Sequence, residues 1–278
     1  MNRYKPCPRK TLFCALSLAL AALLLCVGRT PLKAALGRAM FSAEPALQKA
    51  EEAVPVTLQP GDFVYFGQYA GEPILWRVLA LEDGKPLLLA ERILCFKAFA
   101  ACAAPAAGSS AWGGSALRQW LNSAEAAVEW QGAAPVKANI WGGYNPYAQE
   151  PGFLSPGNFD AAQLALLDSS ENGDAVSLPT RKQLEPLSIA ARKRSPTPSA
   201  LAGDRSPFLF LRSTGWYWTR DAIATNACSI CAVTGKGTFY KSLATDGMNG
   251  VCPLLRLRTA TVLLAGDPSK GGFLCSAA

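Results

Sequence analysis

The cysteines are the residues of this chain whose number and spacing most directly suggest chemistry. The chain has nine cysteines; three precede residue 27, and the other six are Cys95, Cys102, Cys228, Cys231, Cys252 and Cys275. An even number of cysteines in an exported domain is typical of a disulfide framework. Cys95 and Cys102 are near enough in sequence to close a small loop. The sequence therefore predicts disulfides among these six and leaves their pairing open.

The motif Cys228-Ser-Ile-Cys231 has three interpretations. A redox CxxC opens a helix, whose N-terminus lowers the pKa of the thiol, whereas residues 226–233 have the pattern of a strand. A zinc site needs a second cysteine pair at matched spacing, and Cys252 and Cys275 are too far apart. A structural disulfide or a buried free thiol is the favoured interpretation, so the sequence predicts no metal and no cofactor.

The chain contains no histidine. This excludes the Ser-His-Asp triad, Cys-His proteases and His-ligated metal sites, and it removes the commonest general base. A glycosidase would need two facing carboxylates, for which Asp174, Asp204, Asp221 and Asp246 are candidates by residue type alone. We therefore predict a protein that is not an enzyme.

Aromatic residues supply the candidate ligand site. The residues concerned are Trp112, Trp141, Tyr144, Tyr147, Trp216 and Trp218. The first four lie in stretches rich in Gly, Pro and Asn, and these loops are the preferred ligand surface. Trp216 and Trp218 are two apart in a strand and share one face, with Tyr217 opposite. Core packing is the default for that strand, but rings on an exposed face would stack on the C–H faces of sugars.

An apolar segment near the N-terminus predicts export. Residues 11–28 carry no charge and follow a basic region, residues 1–10, as in a secretory signal. As a helix the segment would be ~27 Å long, close to the hydrocarbon thickness of a bilayer. No small-x-small cleavage site follows it, so a retained membrane anchor is favoured over a cleaved signal. We expect a cell-membrane protein with an extracytoplasmic domain, or a secreted protein if the signal is cleaved.

The charge of the chain is concentrated at the N-terminus. Residues 1–40 hold seven of the 27 Lys and Arg and none of the 20 Asp and Glu, so the remainder carries 20 of each sign. A neutral domain has no overall attraction for a polyanion. The sequence therefore predicts no nucleic-acid partner.

The rest of the chain is expected to form a stalk, one domain and a tail. The stalk covers residues 29–57, the domain residues 58–265, and a disordered tail residues 266–278. Strand patterns occur at 62–69, 74–82, 87–94, 215–220, 227–233, 238–243 and 251–259. Short helices are expected after the N-caps Ser115, Asp160 and Thr180, with Trp120 in the core. Strands, then helices, then strands is an α+β order.

Several motifs resemble a known family. They are, in order, PGDFVYFGQYAGEPILWRVLALEDGKPLLLAERIL, SALRQWLNS, VSLPTRKQLEPL, GWYWTRDA and GMNGVCPLLRL. They resemble a bacterial domain-of-unknown-function family of exported and surface proteins, whose pattern includes FG-x-Y-x-G-x-PI-x-WRVL, LR-x-WLN, WWLRS and GVRP. The resemblance covers residues 60–263. Cys252 replaces the arginine of GVRP, and Thr219-Arg220 replaces the LR of WWLRS.

That family is similar to C-type-lectin-like domains and to the formylglycine-generating, sulfatase-modifying enzyme fold. The resemblance implies one compact α+β domain of antiparallel strands whose first and last strands pair. The calcium motifs of lectins are absent, because Glu72-Pro73 and Glu150-Pro151 continue with Ile74 and Gly152. The cysteine pair of the formylglycine enzymes has no recognisable counterpart.

These observations predict an exported, membrane-anchored, non-catalytic binding domain. Its ligand would be a carbohydrate or a cell-surface protein. The alternatives are an enzyme related to the formylglycine-generating fold and a purely structural envelope protein. The sequence does not separate a glycan from a protein partner, since either would use exposed aromatic or apolar surface.

Overall fold

The computed structural model describes residues 53–102, 109–142, 145–170, 172–203, 213–267 and 271–277. These residues belong to one compact unit, Leu47–Ala278. The predicted signal or anchor, most of the predicted stalk, Tyr144 and Asp204 lie outside the described residues. Within the described part of the chain, no helix is both long and apolar enough to span a membrane.

The described residues form fourteen strands and five short α-helices. The strands are β1 Val54–Thr57, β2 Phe63–Tyr69, β3 Glu72–Glu82, β4 Lys85–Ala90, β5 Cys95–Phe96, β6 Leu167–Asp168, β7 Val176–Ser177, β8 Tyr217–Ile223, β9 Asn226–Val233, β10 Phe239–Leu243, β11 Gly250–Val251, β12 Leu254–Leu257, β13 Thr261–Ala265 and β14 Gly272–Ala277. The helices are α1 Ala116–Leu121, α2 Ala161–Ala165, α3 Arg181–Leu184, α4 Ile189–Arg192 and α5 Pro198–Gly203. This mostly β composition with few short helices confirms the predicted α+β class in its coarse form.

The larger sheet has nine strands in the order β1-β13-β14-β2-β3-β4-β12-β6, with β7 also paired to β12. Strands β2, β3 and β4 form an antiparallel meander, as the sequence pattern predicted. β4 is apolar without alternation, because Leu88 and Ala90 face one hydrophobic cluster while Leu87 and Leu89 face another. A strand buried on both faces loses the period-2 pattern in this way.

The smaller sheet has five strands in the order β10-β9-β8-β11-β5. Its strand β8 follows the alternation expected from the sequence: Trp218 belongs to the larger cluster and Tyr217 to the smaller one. Both of these rings are fully buried. The strand β8 is therefore held in the core from both sides.

The helices begin where their caps predict. The side chain of Ser115 accepts a hydrogen bond from the Arg118 backbone at the start of α1. Asp160 and Thr180 each form a capping box, at α2 and α3 respectively. Trp120 on α1 is fully buried in the larger cluster, as the apolar face of that helix predicted.

The domain extends further at both ends than the sequence indicated. The predicted disordered tail is wrong for residues 272–277, which form β14 between β13 and β2. The predicted stalk ends in β1, which pairs antiparallel with β13. Pairing of strands far apart in sequence depends on the whole sheet, so the composition of the tail alone did not reveal it.

Candidate functional site

An aromatic pair, one ring half-buried and one exposed, lies on two neighbouring strands of the larger sheet. The rings of Tyr65 on β2 and Phe273 on β14 stack with centroids 4.9 Å apart and planes 20° apart. The two residues are direct partners in the parallel pairing of these strands. Phe273 is 43% exposed. The half-buried Tyr65 therefore supports a second ring, Phe273, that solvent reaches.

A cleft of about 330 Å³ adjoins this pair. We call it the aromatic cleft; its lining is Tyr65, Phe66, Gly67, Gln68, Pro73, Pro156, Asn158, Phe159, Asp160, Gln163, Phe273 and Leu274. The lining includes the aromatic pair and two prolines. It also includes the polar side chains of Gln68, Asn158, Asp160 and Gln163, which we call the polar wall.

The backbone of β2 is shaped to make this cleft. Its pairing with β3 is irregular between Tyr65 and Gln68, and Gly67 in that interval has φ +64°. A Cβ on Gly67 would overlap the ring of Phe159. Position 67 thus requires glycine for two reasons: the left-handed backbone conformation and the close approach of Phe159. The glycine of the FG motif therefore has a structural explanation.

The polar wall is preorganised by hydrogen bonds to its own backbone. Gln68 Nε2 donates to the Gly157 carbonyl at 2.8 Å, and Asn158 Nδ2 donates to the Phe153 carbonyl at 3.0 Å. The side chains of Asp160 and Gln163 are joined in the capping box of α2. Each of these side chains has further donor or acceptor capacity. The wall can therefore offer both donors and acceptors to one ligand.

The aromatic cleft was not among the residues predicted from the sequence. Tyr65 alternates with buried Val64 and Phe66, so the period-2 pattern of β2 already indicated that its ring points away from the core. Phe273 lay in the stretch predicted to be disordered. The sequence pattern therefore indicated only the position of Tyr65. The position of Phe273 depends on the pairing of β14 with β2.

The predicted ligand aromatics are dispersed over the domain. Tyr147 and Trp218 are fully buried, so the predicted ligand role of both is corrected to core packing. Their polar atoms are used internally: Tyr147 Oη donates to the Ala98 carbonyl at 2.7 Å and Trp218 Nε1 to the Lys97 carbonyl at 2.8 Å. Tyr144 lies outside the described residues.

The three other predicted aromatics are at least partly accessible. Trp112 is half-buried and its Nε1 donates to Asp174 at 2.9 Å, which makes it a support for that loop. Trp216 is half-buried and its ring lies 6.0 Å from that of Tyr240, edge to face. Trp141 is 51% exposed. Among the described residues, none of these three rings lines the aromatic cleft.

The predicted disulfides are not formed. The six cysteines of the described residues are free thiols: Cys95, Cys102, Cys228, Cys231, Cys252 and Cys275. Cys228 and Cys231 lie on β9, where residues three apart point to opposite faces of a strand. This geometry separates the two sulfurs of the CxxC motif. Cys231 is buried, and Cys228, nearer the start of the strand, is half-buried.

The buried thiols have the electrostatics of core residues. Burial raises the pKa of Cys95 to about 12 and raises the pKa of Cys231 and Cys252 as well. A thiol is a nucleophile or metal ligand only as thiolate. Within the described residues, no group of three or more Cys, Asp or Glu is arranged to hold a metal ion.

A buried ion pair lies under the loop that follows residue 144. Lys97 is fully buried, and its Nζ lies 2.5 Å from Glu150 Oε2 and 4.7 Å from the ring centroids of Trp120 and Tyr147. Tyr69 Oη donates to the same carboxylate at 3.4 Å. A fully buried lysine is rare unless it is paired. Here the carboxylate and two aromatic faces replace its hydration.

A second, more polar groove of about 500 Å³ runs along α1. Its central side chains are committed to the fold: Arg118 Nε donates to Asp174 at 2.8 Å, and Asn122 Oδ1 accepts from the Ala175 backbone at 2.8 Å. Asn122 caps α1, and Arg118 joins α1 to the loop that holds Asp174. This groove is therefore mainly a structural junction.

The three described carboxylates considered for glycosidase chemistry each accept hydrogen bonds from neighbouring protein groups. Asp221 accepts a hydrogen bond from the Arg181 backbone at 2.6 Å, and Asp246 accepts one from the Met248 backbone at 2.9 Å. Asp174 is held by Arg118 and Trp112. We assign no catalytic role to them.

Comparison of the chain with protein-family models, with curated proteins and with solved structures finds no match.

Proposed function

We propose that the protein is an exported, non-catalytic carbohydrate-binding domain, held at the membrane by residues 11–28, and that the aromatic cleft is its sugar site. The observation that carries the proposal is the exposed ring of Phe273, stacked on the half-buried ring of Tyr65, in a cleft that also contains amide and carboxylate side chains. The C-type-lectin-like fold implied by the motif resemblance is part of the same proposal.

The chemistry of the cleft suits a sugar ring. One face of a pyranose carries C–H groups that pack on the negative face of an aromatic ring. Its hydroxyls both donate and accept, as do the amide groups of Gln68, Asn158 and Gln163. A flat apolar patch without polar neighbours would instead favour a protein partner. The mixed lining of this cleft therefore favours a glycan.

The proposed site needs no calcium. The lectin motifs that bind calcium and sugar together are missing from the sequence. In the aromatic cleft, Asp160 is the one carboxylate among the lining residues, and its side chain also caps α2. Calcium sites require six to eight oxygen ligands, commonly with several carboxylates. We therefore expect binding to persist in a chelator.

The test is a binding screen of the full-length chain in detergent against neutral glycans and cell-wall fragments, with and without chelator. The informative variant is Phe273→Ala, which removes an exposed ring. Loss of the stacking contact is expected to weaken binding about tenfold or more. Trp141→Ala is the matched control, because Trp141 is similarly exposed and lies outside the cleft.

The outcomes separate the proposal from its competitors. Binding that survives chelation, falls in Phe273→Ala and is unchanged in Trp141→Ala supports the cleft. If Phe273→Ala and Trp141→Ala bind glycan equally well, the sugar site lies outside the cleft. A protein that binds no glycan, but whose capture of a purified surface protein falls in Phe273→Ala, would assign the cleft to a protein partner and reject the sugar proposal.

A further inference from the structure

Arg194 is a buried cation whose hydrogen-bonding capacity is only partly used. The residue is 1% exposed. Its Nη1 donates to the Ala191 carbonyl at 2.6 Å and to the Lys193 carbonyl at 3.0 Å. Its Nε and Nη2 are buried and find no hydrogen-bond acceptor among the described residues. Buried donors without acceptors are rare in folded proteins and call for a specific explanation.

The nearest carboxylate does not meet this need. Glu91 Oε2 lies 3.8 Å from Arg194 Nη2, which is beyond hydrogen-bond distance. Both oxygens of Glu91 instead accept from Arg77, at 2.8 Å from Nε and 2.6 Å from Nη2. One carboxylate thus faces two guanidinium groups, so this group of side chains keeps a net positive charge.

Arg192 is a second arginine with a buried donor that lacks a hydrogen-bond acceptor. Its Nε is also buried without an acceptor. Its guanidinium carbon lies over the ring of Phe239, 4.8 Å from the ring centroid. The Arg192 carbonyl accepts a hydrogen bond from Tyr217 Oη at 2.9 Å. Both guanidinium groups also act electrostatically on the Tyr217 hydroxyl, whose pKa is raised chiefly by burial.

We propose that Arg192 and Arg194 form a binding site for a small oxyanion of the phosphate or sulfate class. Three guanidinium nitrogens find no acceptor among the described residues, and tetrahedral oxyanions offer several acceptor oxygens to arginine forks. The positive charge left by the shared Glu91 would be balanced by such a ligand. The exposed side chain of Lys193, between the two arginines, adds positive charge at the adjoining surface.

This site is separate from the aromatic cleft. Arg192 ends α4, and Arg194 pairs with Gly215 just before β8. Neither arginine lines the aromatic cleft. The proposal therefore does not rest on the carbohydrate proposal, and either can fail alone. The same chemistry would accept inorganic phosphate or a phosphate group carried by a larger molecule.

The test is thermal unfolding and titration calorimetry of the full-length chain in detergent. Inorganic phosphate and sulfate are compared with chloride at equal ionic strength, and glucose 6-phosphate is a separate arm. We expect saturable binding of phosphate and a rise of the unfolding midpoint that chloride does not reproduce. Arg192→Lys, at a half-buried position, is expected to weaken this binding about tenfold or more, because lysine lacks the rigid fork.

Two further variants make the result decisive. Arg194→Lys is expected to have the same effect as Arg192→Lys, while Arg258→Lys should bind as the unaltered protein does, because its arginine contacts the Ala165 carbonyl elsewhere. Tighter binding of glucose 6-phosphate than of inorganic phosphate would identify a carried phosphate group. Ion binding that is equal for chloride and phosphate, or unchanged in Arg192→Lys, would overturn the proposal.

Discussion

The two partners of the Lys97–Glu150 ion pair differ in how deeply their charged groups are buried. The ammonium group is fully buried, whereas the Glu150 side chain is 35% exposed. Loss of the carboxylate leaves a charge in the core, with only the faces of Trp120 and Tyr147 to stabilise it. Loss of the ammonium leaves a carboxylate that water can reach. The two partners are therefore not equivalent in the energetics of folding.

We predict that Glu150→Gln destabilises the domain more than Lys97→Met. Glu150→Gln should lower the free energy of unfolding by about 2 kcal/mol, because it removes the negative charge that neutralises the buried Lys97 ammonium group. The second replaces the lysine by an apolar chain of similar length and should cost about 1 kcal/mol or less. Urea unfolding of both variants measures the difference. An equal or reversed order would show that the Lys97 charge is hydrated in the folded protein.

At the scale of the elements, β2 depends on one glycine. Gly67 combines a left-handed backbone with the close approach of Phe159, and Phe159 packs in the larger hydrophobic cluster. Gly61 also has a positive φ, +100°, but a Cβ there would meet no atom within 4 Å. Alanine substitution would therefore cause backbone strain alone at Gly61, but both backbone strain and steric overlap at Gly67.

We predict that Gly67→Ala costs far more than Gly61→Ala. Strain alone should cost about 1–2 kcal/mol at either position. Displacement of Phe159 should add about 1–3 kcal/mol for Gly67→Ala, as overpacking does in other cores. Denaturant midpoints compare the two variants. If both lose the same stability, Phe159 must be able to move without cost.

The C-terminal strand is a second element-scale dependency. β14 lies inside the larger sheet, with β13 on one side and β2 on the other. Removal of an interior strand exposes two edges and the buried side chains that it covered. The stretch expected from the sequence to be a tail is thus a structural part of the domain.

We predict that truncation after Gly266 abolishes cooperative unfolding, as followed by near-ultraviolet circular dichroism during denaturation. Phe273→Ala in the full-length chain is the control, since it keeps the strand and removes an exposed ring. It should unfold cooperatively with a small loss of stability. Cooperative unfolding of the truncated protein would mean that β13 and β2 can pair or cover themselves without β14.

At the scale of the whole molecule, the free thiols report on global unfolding. Cys275 is exposed, Cys102 and Cys228 are half-buried, and the other three are buried. The raised pKa values of the buried thiols keep them protonated near neutral pH. Their alkylation therefore requires opening of the domain as well as ionisation.

We predict that, among the six cysteines of the described residues, iodoacetamide modifies Cys275 first in the folded protein. Cys102 and Cys228 should follow, and Cys95, Cys231 and Cys252 should react only after unfolding. Peptide mass spectrometry after timed quenching gives the order. Without reductant, all six should react in denaturant. A pair that needs prior reduction would be a disulfide, and the original prediction for that pair would stand.

The sequence by itself determined what depends on neighbours in the chain. The strand positions of β2, β8 and β9 and the core position of Trp120 follow from local sequence patterns, and the three helix starts follow from local hydrogen bonds of the capping residues. The same local information placed the CxxC on a strand. It also indicated that Tyr65 points away from the core.

Only the tertiary structure decided what depends on residues distant in sequence. The stacking of Phe273 on Tyr65 needs β14 to pair with a strand about 200 residues earlier, a choice made by the whole sheet and not by propensity. Burial of Tyr147 and Trp218 likewise depends on what covers them. The same holds for Arg194, because whether a guanidinium finds acceptors is settled by groups that converge from separate segments.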